Sequence, residues 1–158
     1  MPYFKKCLFL FLIVFFFCGC FQKDFGRKHS HYELGASLRI PKNWKRADIS
    51  PAATVSSMAF KDANGGWIIL TRNFGVSFKK QMEITSKINY PILEKGRVVF
   101  SKYKTRWFYS VEGRTSTITY VIQGSEGRVF SIICTTPSIH LATYRPNFDR
   151  VVRSLRTF

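Results

Sequence analysis

Residues 116–135 have the sequence STITYVIQGSEGRVFSIICT, and this stretch predicts the fold most clearly. Ile118, Tyr120 and Ile122 alternate with threonines and a valine, which is the period-two pattern of a strand with one apolar face. A second apolar run follows at 128–135, after the connection Gly124–Gly127 (GSEG), whose glycines are typical of turns. The stretch therefore predicts an antiparallel β-hairpin.

The chain on the N-terminal side of this hairpin contains further strand patterns. A run that includes Leu38 and Ile40 stops at Pro41, and the sequence 62–66 (DANGG) is a strong hairpin signal because Asn-Gly and Gly-Gly tolerate positive φ. The return strand WIILT is nearly all apolar, as expected for a central strand. These additional strands are predicted at 34–40, 55–60, 67–71, 97–104 and 106–112.

Two segments have helical periodicity. The first is 77–90, with Ser77 as a plausible N-cap and Pro91 as its end. Its apolar face comprises Phe78, Met82, Ile84, Thr85 and Ile88. The second is 146–157, where the residues of one apolar face are Phe148, Val151, Val152, Leu155 and Phe158. The opposite face comprises Arg145, Asp149, Arg150, Arg153 and Arg156.

The order of these elements predicts an α+β fold, an antiparallel β-sheet of about six or seven strands covered by two helices, in one domain at 32–158. The layout resembles the PsbP-like fold group. The resemblance rests on Leu38-x-Ile40-Pro41-x-x-Trp44, on the Gly124–Gly127 turn and on Phe148-x-x-Val151-x-x-Ser154-Leu155. It implies a binding or assembly factor, because members of that group are mostly not enzymes.

The N-terminus carries an export signal. Lys5 and Lys6 precede fifteen apolar residues, 7–21, which is shorter than the ~20 residues of a membrane-spanning helix. Residues 1–19 resemble a bacterial lipoprotein signal peptide, which implies lipidation at Cys20 and a polar tether at 20–31. The residues before Gly19-Cys20 are Phe17 and Cys18, where that family usually has leucine and a small residue. An uncleaved anchor and an ordinary cleaved signal remain alternatives.

Net charge bounds the choice of partner. The chain carries a formal charge of +16, and removal of 1–19, which hold two lysines and no acids, leaves +14. Such a field favours anionic partners, although a solvated basic surface needs none. Export separates the chain from nucleic acid, which is therefore not an expected partner. From the N-terminal signal we expect lipid-anchored localisation in the cell envelope, on the periplasmic or surface side. The expected partners are the membrane, through the N-terminal lipid, and an anionic envelope component or an acidic protein.

Two groups of cations are the candidate anion-binding residues. One group lies on the stretch 97–114, where strand alternation separates Lys102, Lys104 and Arg106 from an aromatic side of Tyr103, Trp107 and Tyr109. The other group is the helical stripe Arg150, Arg153 and Arg156. The alternative for the first group is a solvated strand whose lysines prevent edge-to-edge aggregation, and for the second a solvated helix face.

No catalytic motif is present. Cys134 lies in an apolar strand where an inert buried thiol is expected, with His140 six residues later. His29 and His31 lack further ligands at metal-binding spacing, so we expect neither metal nor cofactor. The sequence predicts a non-enzymatic envelope lipoprotein. The alternatives are a carrier of lipid or another small ligand in an aromatic-lined pocket, and an enzyme acting on acidic glycans in an unrecognised cleft.

Overall fold

The computed structural model describes residues 25–49, 57–87, 91–98 and 101–158. Within these ranges the chain forms ten strands and two α-helices. The first five strands are β1 (Arg27–His31), β2 (Ala36–Ile40), β3 (Lys45–Ala47), β4 (Ser57–Lys61) and β5 (Trp67–Asn73). The later elements are α1 (Phe78–Ser86), β6 (Ile92–Arg97), β7 (Lys104–Glu112), β8 (Thr115–Gln123), β9 (Val129–Pro137), α2 (Leu141–Ser154) and β10 (Arg156–Thr157).

Seven of these strands form one antiparallel sheet with the order β3-β4-β5-β9-β8-β7-β6. The predicted hairpin lies at its centre. In it β8 pairs with β9, with Thr115 opposite Pro137 at one end and Gln123 opposite Val129 at the other. The turn between them contains Glu126 at φ 55° and Gly127 at φ 71°. This sheet confirms the predicted antiparallel architecture.

A second sheet of three strands, β1-β2-β10, encloses the main core together with α2. Leu38 and Ile40 of β2 pack in one cluster with Tyr120 of β8 and Phe148 of α2. Helix α1 packs on the other face of the large sheet, where Phe78 joins a smaller cluster of Phe108, Val121 and Val129. The two predicted helices therefore cover opposite faces of the large sheet.

The prediction of a tether as far as His31 is wrong for residues 27–31. These residues form β1, which pairs with β2 so that Arg27 lies opposite Ile40 and His31 lies opposite Ala36. The ring of His29 packs edge-on against Phe60, with 4.7 Å between centroids. Histidines occupy the inward positions of β1, so the strand has no apolar alternation and its polar sequence resembles that of a tether.

The observed bounds of other strands and helices also differ from the predicted ones. The strand predicted at 97–104 is wrong for the described residues 98 and 101–103, which lie between the end of β6 at Arg97 and the start of β7 at Lys104. Ile84, expected on the buried face of α1, is 45% exposed. The helix predicted from Pro146 begins at Leu141, because Pro146 is tolerated on its exposed side. Arg156 follows the helix in β10.

Several predicted features lie outside the described residues: the signal peptide 1–19, Cys20, residues 55–56 of a predicted strand, residues 88–90 of the first helix, and residues 99–100. In the part of the chain that is described, neither helix has the length and apolar character needed to cross a membrane.

Candidate functional site

A groove lined by five cationic side chains lies where β1, β2, β10 and α2 meet. We call it the basic groove, and its cations are Lys28, Arg39, Arg150, Arg153 and Arg156. Its volume is about 660 Å³, and Phe25, Ser37, Leu38 and Ser154 complete the lining.

The two strand residues of the basic groove are set by the register of the small sheet. In β2, Leu38 and Ile40 point into the core, so Arg39 between them is exposed. Lys28 is the register partner of Arg39 in β1 and is also exposed. Like charges directly opposite each other in an antiparallel pair are destabilising. The sheet thus holds two cations together at a cost in stability.

The other cations come from α2 and the strand after it. Arg150 and Arg153 are three residues apart, so they are neighbours on one face of the helix. The Arg150 guanidinium lies 5.8 Å from the centre of the Phe25 ring. Arg156 bonds the backbone oxygens of Arg153 at 3.1 Å and Leu155 at 2.7 Å, which places its side chain against the C-terminal end of α2.

Ser154 joins the two halves of the basic groove. Its hydroxyl accepts a hydrogen bond of 2.8 Å from the backbone N–H of Arg39 and donates one of 2.6 Å to the backbone oxygen of Val151. This pair of bonds fixes β2 against the end of α2. Arg39 and Arg153 are therefore held on facing elements 114 residues apart in sequence.

The charge of the basic groove is not balanced locally. None of the described residues that line it is acidic, and no carboxylate in the described ranges lies within ion-pair distance of its five cations. The one acid of α2, Asp149, lies outside this lining; it lines an adjoining groove with Arg150 and Arg153 and accepts a hydrogen bond of 2.9 Å from the Tyr120 hydroxyl. An unneutralised cluster of guanidinium and ammonium groups is suited to binding an anion.

The structure separates the predicted cations into two regions. Arg150, Arg153 and Arg156 share the basic groove, whereas Lys104 and Arg106 lie on the α1 side of the large sheet. Strand β7 is flanked by β6 and β8, so the prediction of a basic edge strand there is wrong and the edge is β6. Lys102 lines neither groove and lies 5.5 Å from the ring of its neighbour Tyr103.

A second groove of about 540 Å³ lies between α1 and the strands β6 and β7. We call it the α1 groove. Its lining combines the cations Lys79, Lys95, Arg97 and Arg106 with Met82, Glu83, Ser86, Gly96, Trp107 and Phe108. Lys104 is not part of this lining, and its ammonium lies 4.9 Å from the ring of Phe78, the first residue of α1. This groove has an apolar part as well as cations.

The aromatic side of β7 is directed into the protein. Tyr103, Trp107 and Tyr109 pack against the main core, and the Arg145 guanidinium covers the Trp107 ring at 4.8 Å. Glu94 lies 3.7 Å from Arg145. Tyr103 and Tyr109 therefore stabilise the core, whereas Trp107 packs against the core and also lines the α1 groove.

The remaining candidates for chemistry are in structural roles. Cys134 is fully buried, and burial, followed by the charge of Asp149, raises the pKa of its thiol. A thiol in that state is a poor nucleophile. His31 accepts a hydrogen bond of 3.3 Å from the backbone N–H of Leu34. Within the described ranges, no group of three or more His, Cys, Asp or Glu side chains is placed to hold a metal.

Sequence reasoning missed Lys28 and Arg39. Arg39 carried a weak signal, because it is the polar position between two apolar residues of a predicted strand. Lys28 carried no signal, since its place depends on the unexpected pairing of β1 with β2. Lys79, Lys95 and Arg97 of the α1 groove were missed for the same reason: only the packed sheet brings them together.

Comparison with known proteins gives information about the fold. No protein-family model matches the chain, and no curated protein matches its sequence. Solved structures with a similar fold include three from different organisms. PsbP of the cyanobacterium Synechocystis sp. PCC 6803 is 14% identical with a TM-score of 0.56, and the match covers 84% of this chain and 92% of that one.

The other two structures come from distant organisms. LpqN, involved in cell envelope biogenesis of Mycobacterium tuberculosis, is 12% identical with a TM-score of 0.53 over 85% of this chain and 86% of its own. The Ran-binding protein Mog1p of Saccharomyces cerevisiae is 10% identical with a TM-score of 0.53 over 83% of this chain and 94% of its own. At such low identities the likeness concerns the fold alone. The likeness confirms the predicted α+β fold, which is that of the PsbP and Mog1p structures.

Proposed function

We propose that the protein is a membrane-anchored bacterial envelope lipoprotein whose folded domain is a non-enzymatic binding or assembly module. The anchor is the lipid on Cys20, and the binding surface is the basic groove. The domain then lies outside the cytoplasmic membrane, which leaves nucleic acid out of its reach. LpqN has the same fold and is involved in cell envelope biogenesis, so the fold is compatible with such a role.

The observation that carries this proposal is the set of five cations around one groove without an acidic partner in its lining. Each of the two local arrangements, Lys28 opposite Arg39 and Arg150 three residues from Arg153, places like charges together. A bound anion relieves this repulsion and gains charge-assisted hydrogen bonds from the arginines. Anion binding therefore explains an arrangement that stability alone opposes.

Catalysis is not part of the proposal. The candidate thiol of Cys134 is buried and held protonated by its raised pKa. The Asp149 carboxylate is engaged by the Tyr120 hydroxyl, and burial is the main cause of the raised pKa of that tyrosine. These groups stabilise the interior between α2 and the sheet.

The groove is tested by measuring how tightly the mature protein, in a nonionic detergent, binds heparin as a soluble polyanion. The variant Arg150→Gln/Arg153→Gln should raise Kd about tenfold, since each exposed charge contact contributes roughly 0.5–1 kcal/mol. Binding by the unaltered protein should weaken between about 50 mM and about 500 mM salt as screening increases.

The matched control is Lys79→Gln/Lys95→Gln, which removes the same net charge from the α1 groove on the other face of the sheet. Its Kd should stay within about threefold of the unaltered protein, a change of roughly 0.6 kcal/mol. If both double variants weaken binding equally, only the net charge matters and the groove is not the site. Equal binding by the groove variant and the unaltered protein contradicts the proposal directly.

The anchor is tested by the mass of the N-terminal peptide of the protein isolated from membranes. A peptide that begins at Cys20 and carries a diacylglyceryl group supports the lipoprotein assignment. A peptide that begins at Met1 without lipid contradicts it and leaves residues 7–21 as a retained anchor.

The carrier function is a second candidate, favoured by the α1 groove. Cations beside Met82 and Phe108 suit an amphiphile with an anionic head and a short apolar body. Native mass spectrometry of the purified protein should then detect a co-purifying amphiphile that is lost in Arg97→Gln/Arg106→Gln. A spectrum without bound material in both proteins rules against the carrier.

A further inference from the structure

The position of the basic groove relative to the anchor identifies a class of partner. Phe25, the first described residue, lines the groove, and Cys20 is five residues before it. A fully extended chain covers at most about 3.6 Å per residue, so the lipidated cysteine lies within roughly 18 Å of Phe25. The short link keeps the groove close to the membrane that holds the lipid.

The exit of the chain from the folded domain strengthens this constraint. Strand β1 begins at Arg27 and is bonded to β2 along its whole length, so the domain is folded up to that point. Gly26 takes φ 65°, and a Cβ there would clash with the Ile40 backbone oxygen, so the turn into β1 is closely packed. The anchor therefore leaves the domain beside the groove, and the link is too short to carry the groove far from the bilayer.

We propose that the basic groove binds the anionic phospholipid headgroups of the membrane in which the protein is anchored, so that the domain lies with this groove against the bilayer. The inference rests on the proposed function, since it takes Cys20 as the site of anchoring. Arginine matches phosphate in bidentate geometry, and four of the five groove cations are arginines.

This orientation leaves the other face of the protein open to the aqueous side. Helix α1 and the α1 groove lie on the opposite face of the seven-stranded sheet from α2 and the small sheet. Lys79 and Lys95 therefore point away from the membrane when the basic groove contacts it. The chemical reactivity of these two lysines therefore serves as an internal reference for the reactivity of Lys28 in the same molecule.

The test uses the mature protein reconstituted into vesicles of phosphatidylcholine, with or without about 30% of anionic phosphatidylglycerol. Surface lysines are acetylated briefly, and the rate at each position is read by mass spectrometry. Anionic vesicles should slow acetylation of Lys28 about fivefold or more, while Lys79 and Lys95 keep their rates. High salt should remove the protection, because it screens the headgroup charge.

Two variants sharpen the result. Arg150→Gln/Arg153→Gln should lose the protection of Lys28, and Lys104→Gln/Arg106→Gln, on the α1 side, should keep it. Equal rates at Lys28 in both kinds of vesicle overturn the proposal, as does protection of Lys79 in place of Lys28. Protection by added soluble heparin without protection by anionic vesicles also overturns it, and assigns the groove to another polyanion.

The N-terminal peptide is measured in the same digest, so the two proposals can fail separately. Protection of Lys28 with an unlipidated N-terminus refutes lipidation at Cys20 while the headgroup contact stands. A lipidated Cys20 with unprotected Lys28 refutes the headgroup contact while the anchor stands.

Discussion

Tyr144 connects α2 to the hairpin between β4 and β5. Its hydroxyl donates a hydrogen bond to the Asp62 carboxylate, which also accepts bonds from the backbone N–H of Asn64 at 3.1 Å and of Gly66 at 2.7 Å. The Tyr144 ring packs against Trp44, with 5.9 Å between centroids. One buried phenol thus fixes a tight turn against the helix that carries the groove arginines.

The same residue makes stability depend on pH. Burial, and then the bond to Asp62, raises the pKa of Tyr144 to about 12. Below about pH 10 the phenol is neutral in the folded and the unfolded chain, so its full contribution to stability is present. Between pH 10 and 12 the unfolded chain loses this proton first, and the free energy of unfolding must fall as pH rises.

We therefore predict that Tyr144→Phe lowers the free energy of unfolding by about 1–2 kcal/mol at pH 7, and that this difference narrows as pH approaches 12. Urea unfolding at pH 7, 10 and 11.5 measures it. Tyr32→Phe is the control, because Tyr32 is 86% exposed and should match the unaltered protein at each pH. If the difference in free energy of unfolding between Tyr144→Phe and the unaltered protein is the same at every pH, the predicted effect of the Tyr144 pKa on stability is contradicted.

Among the elements, α2 contains a local conflict. Pro146 is the sixth residue of this helix, where an N–H would bond the carbonyl of Ala142. Both residues are exposed, so water can satisfy that carbonyl. The helix persists because Phe148 and Val151 are fully buried, and this tertiary packing outweighs the local preference.

We predict that Pro146→Ala stabilises the protein by about 1–2 kcal/mol: proline in a helix interior costs about 3 kcal/mol relative to alanine, and the added freedom of the unfolded chain offsets part of the gain. Pro41→Ala, in a turn outside any helix, should lower stability by about 0.5–1 kcal/mol. Thermal melting of both variants is the measurement. A loss of stability on replacing Pro146 contradicts this reading of the helix.

The elements also differ in how well the sequence pattern predicts them. The β8–β9 hairpin was predictable because Ile118, Tyr120 and Ile122 all point into one core and so alternate strictly. Strands β1 and β10 were not predicted. His29 fills an inward position of β1, and Thr157 of β10 is held by hydrogen bonds of 3.1 and 3.2 Å to the Tyr103 hydroxyl. Neither strand shows apolar alternation, because the inward positions of β1 are histidines and β10 has only two residues, which pair with β2 far earlier in the chain.

The candidate site follows the same rule. The arginines of α2 could be predicted, because helical periodicity alone places Arg150 and Arg153 on the polar face. That these arginines lie close to Lys28 and Arg39 could not be predicted, since their proximity requires β1 to pair with β2 and Ser154 to bond Arg39. The sequence therefore predicted a basic face, and only the tertiary structure gathers it into one groove.

The role of β1 decides where the folded domain begins, because residues 27–31 either belong to the small sheet or are part of the tether. As a strand, β1 pairs along β2, packs His29 against Phe60 and contributes Lys28 to the groove. Without it, β2 keeps only the two-residue partner β10 on one side and becomes an edge on the other. The small sheet should then cover the core less firmly.

We predict that a chain beginning at Tyr32 is less stable than one beginning at Phe25 by about 2 kcal/mol, equivalent to roughly 5–10 °C in melting temperature for a domain of this size. Because β1 pairs with β2 along its whole length and β10 pairs with the other edge of β2, amide hydrogen exchange should accelerate most in β2 and β10. The hairpin β8–β9, inside the large sheet, should keep its protection and serves as the internal reference. Equal melting temperatures and unchanged exchange in β2 contradict the pairing of β1 and return residues 27–31 to the tether, which would also remove Lys28 from the basic groove.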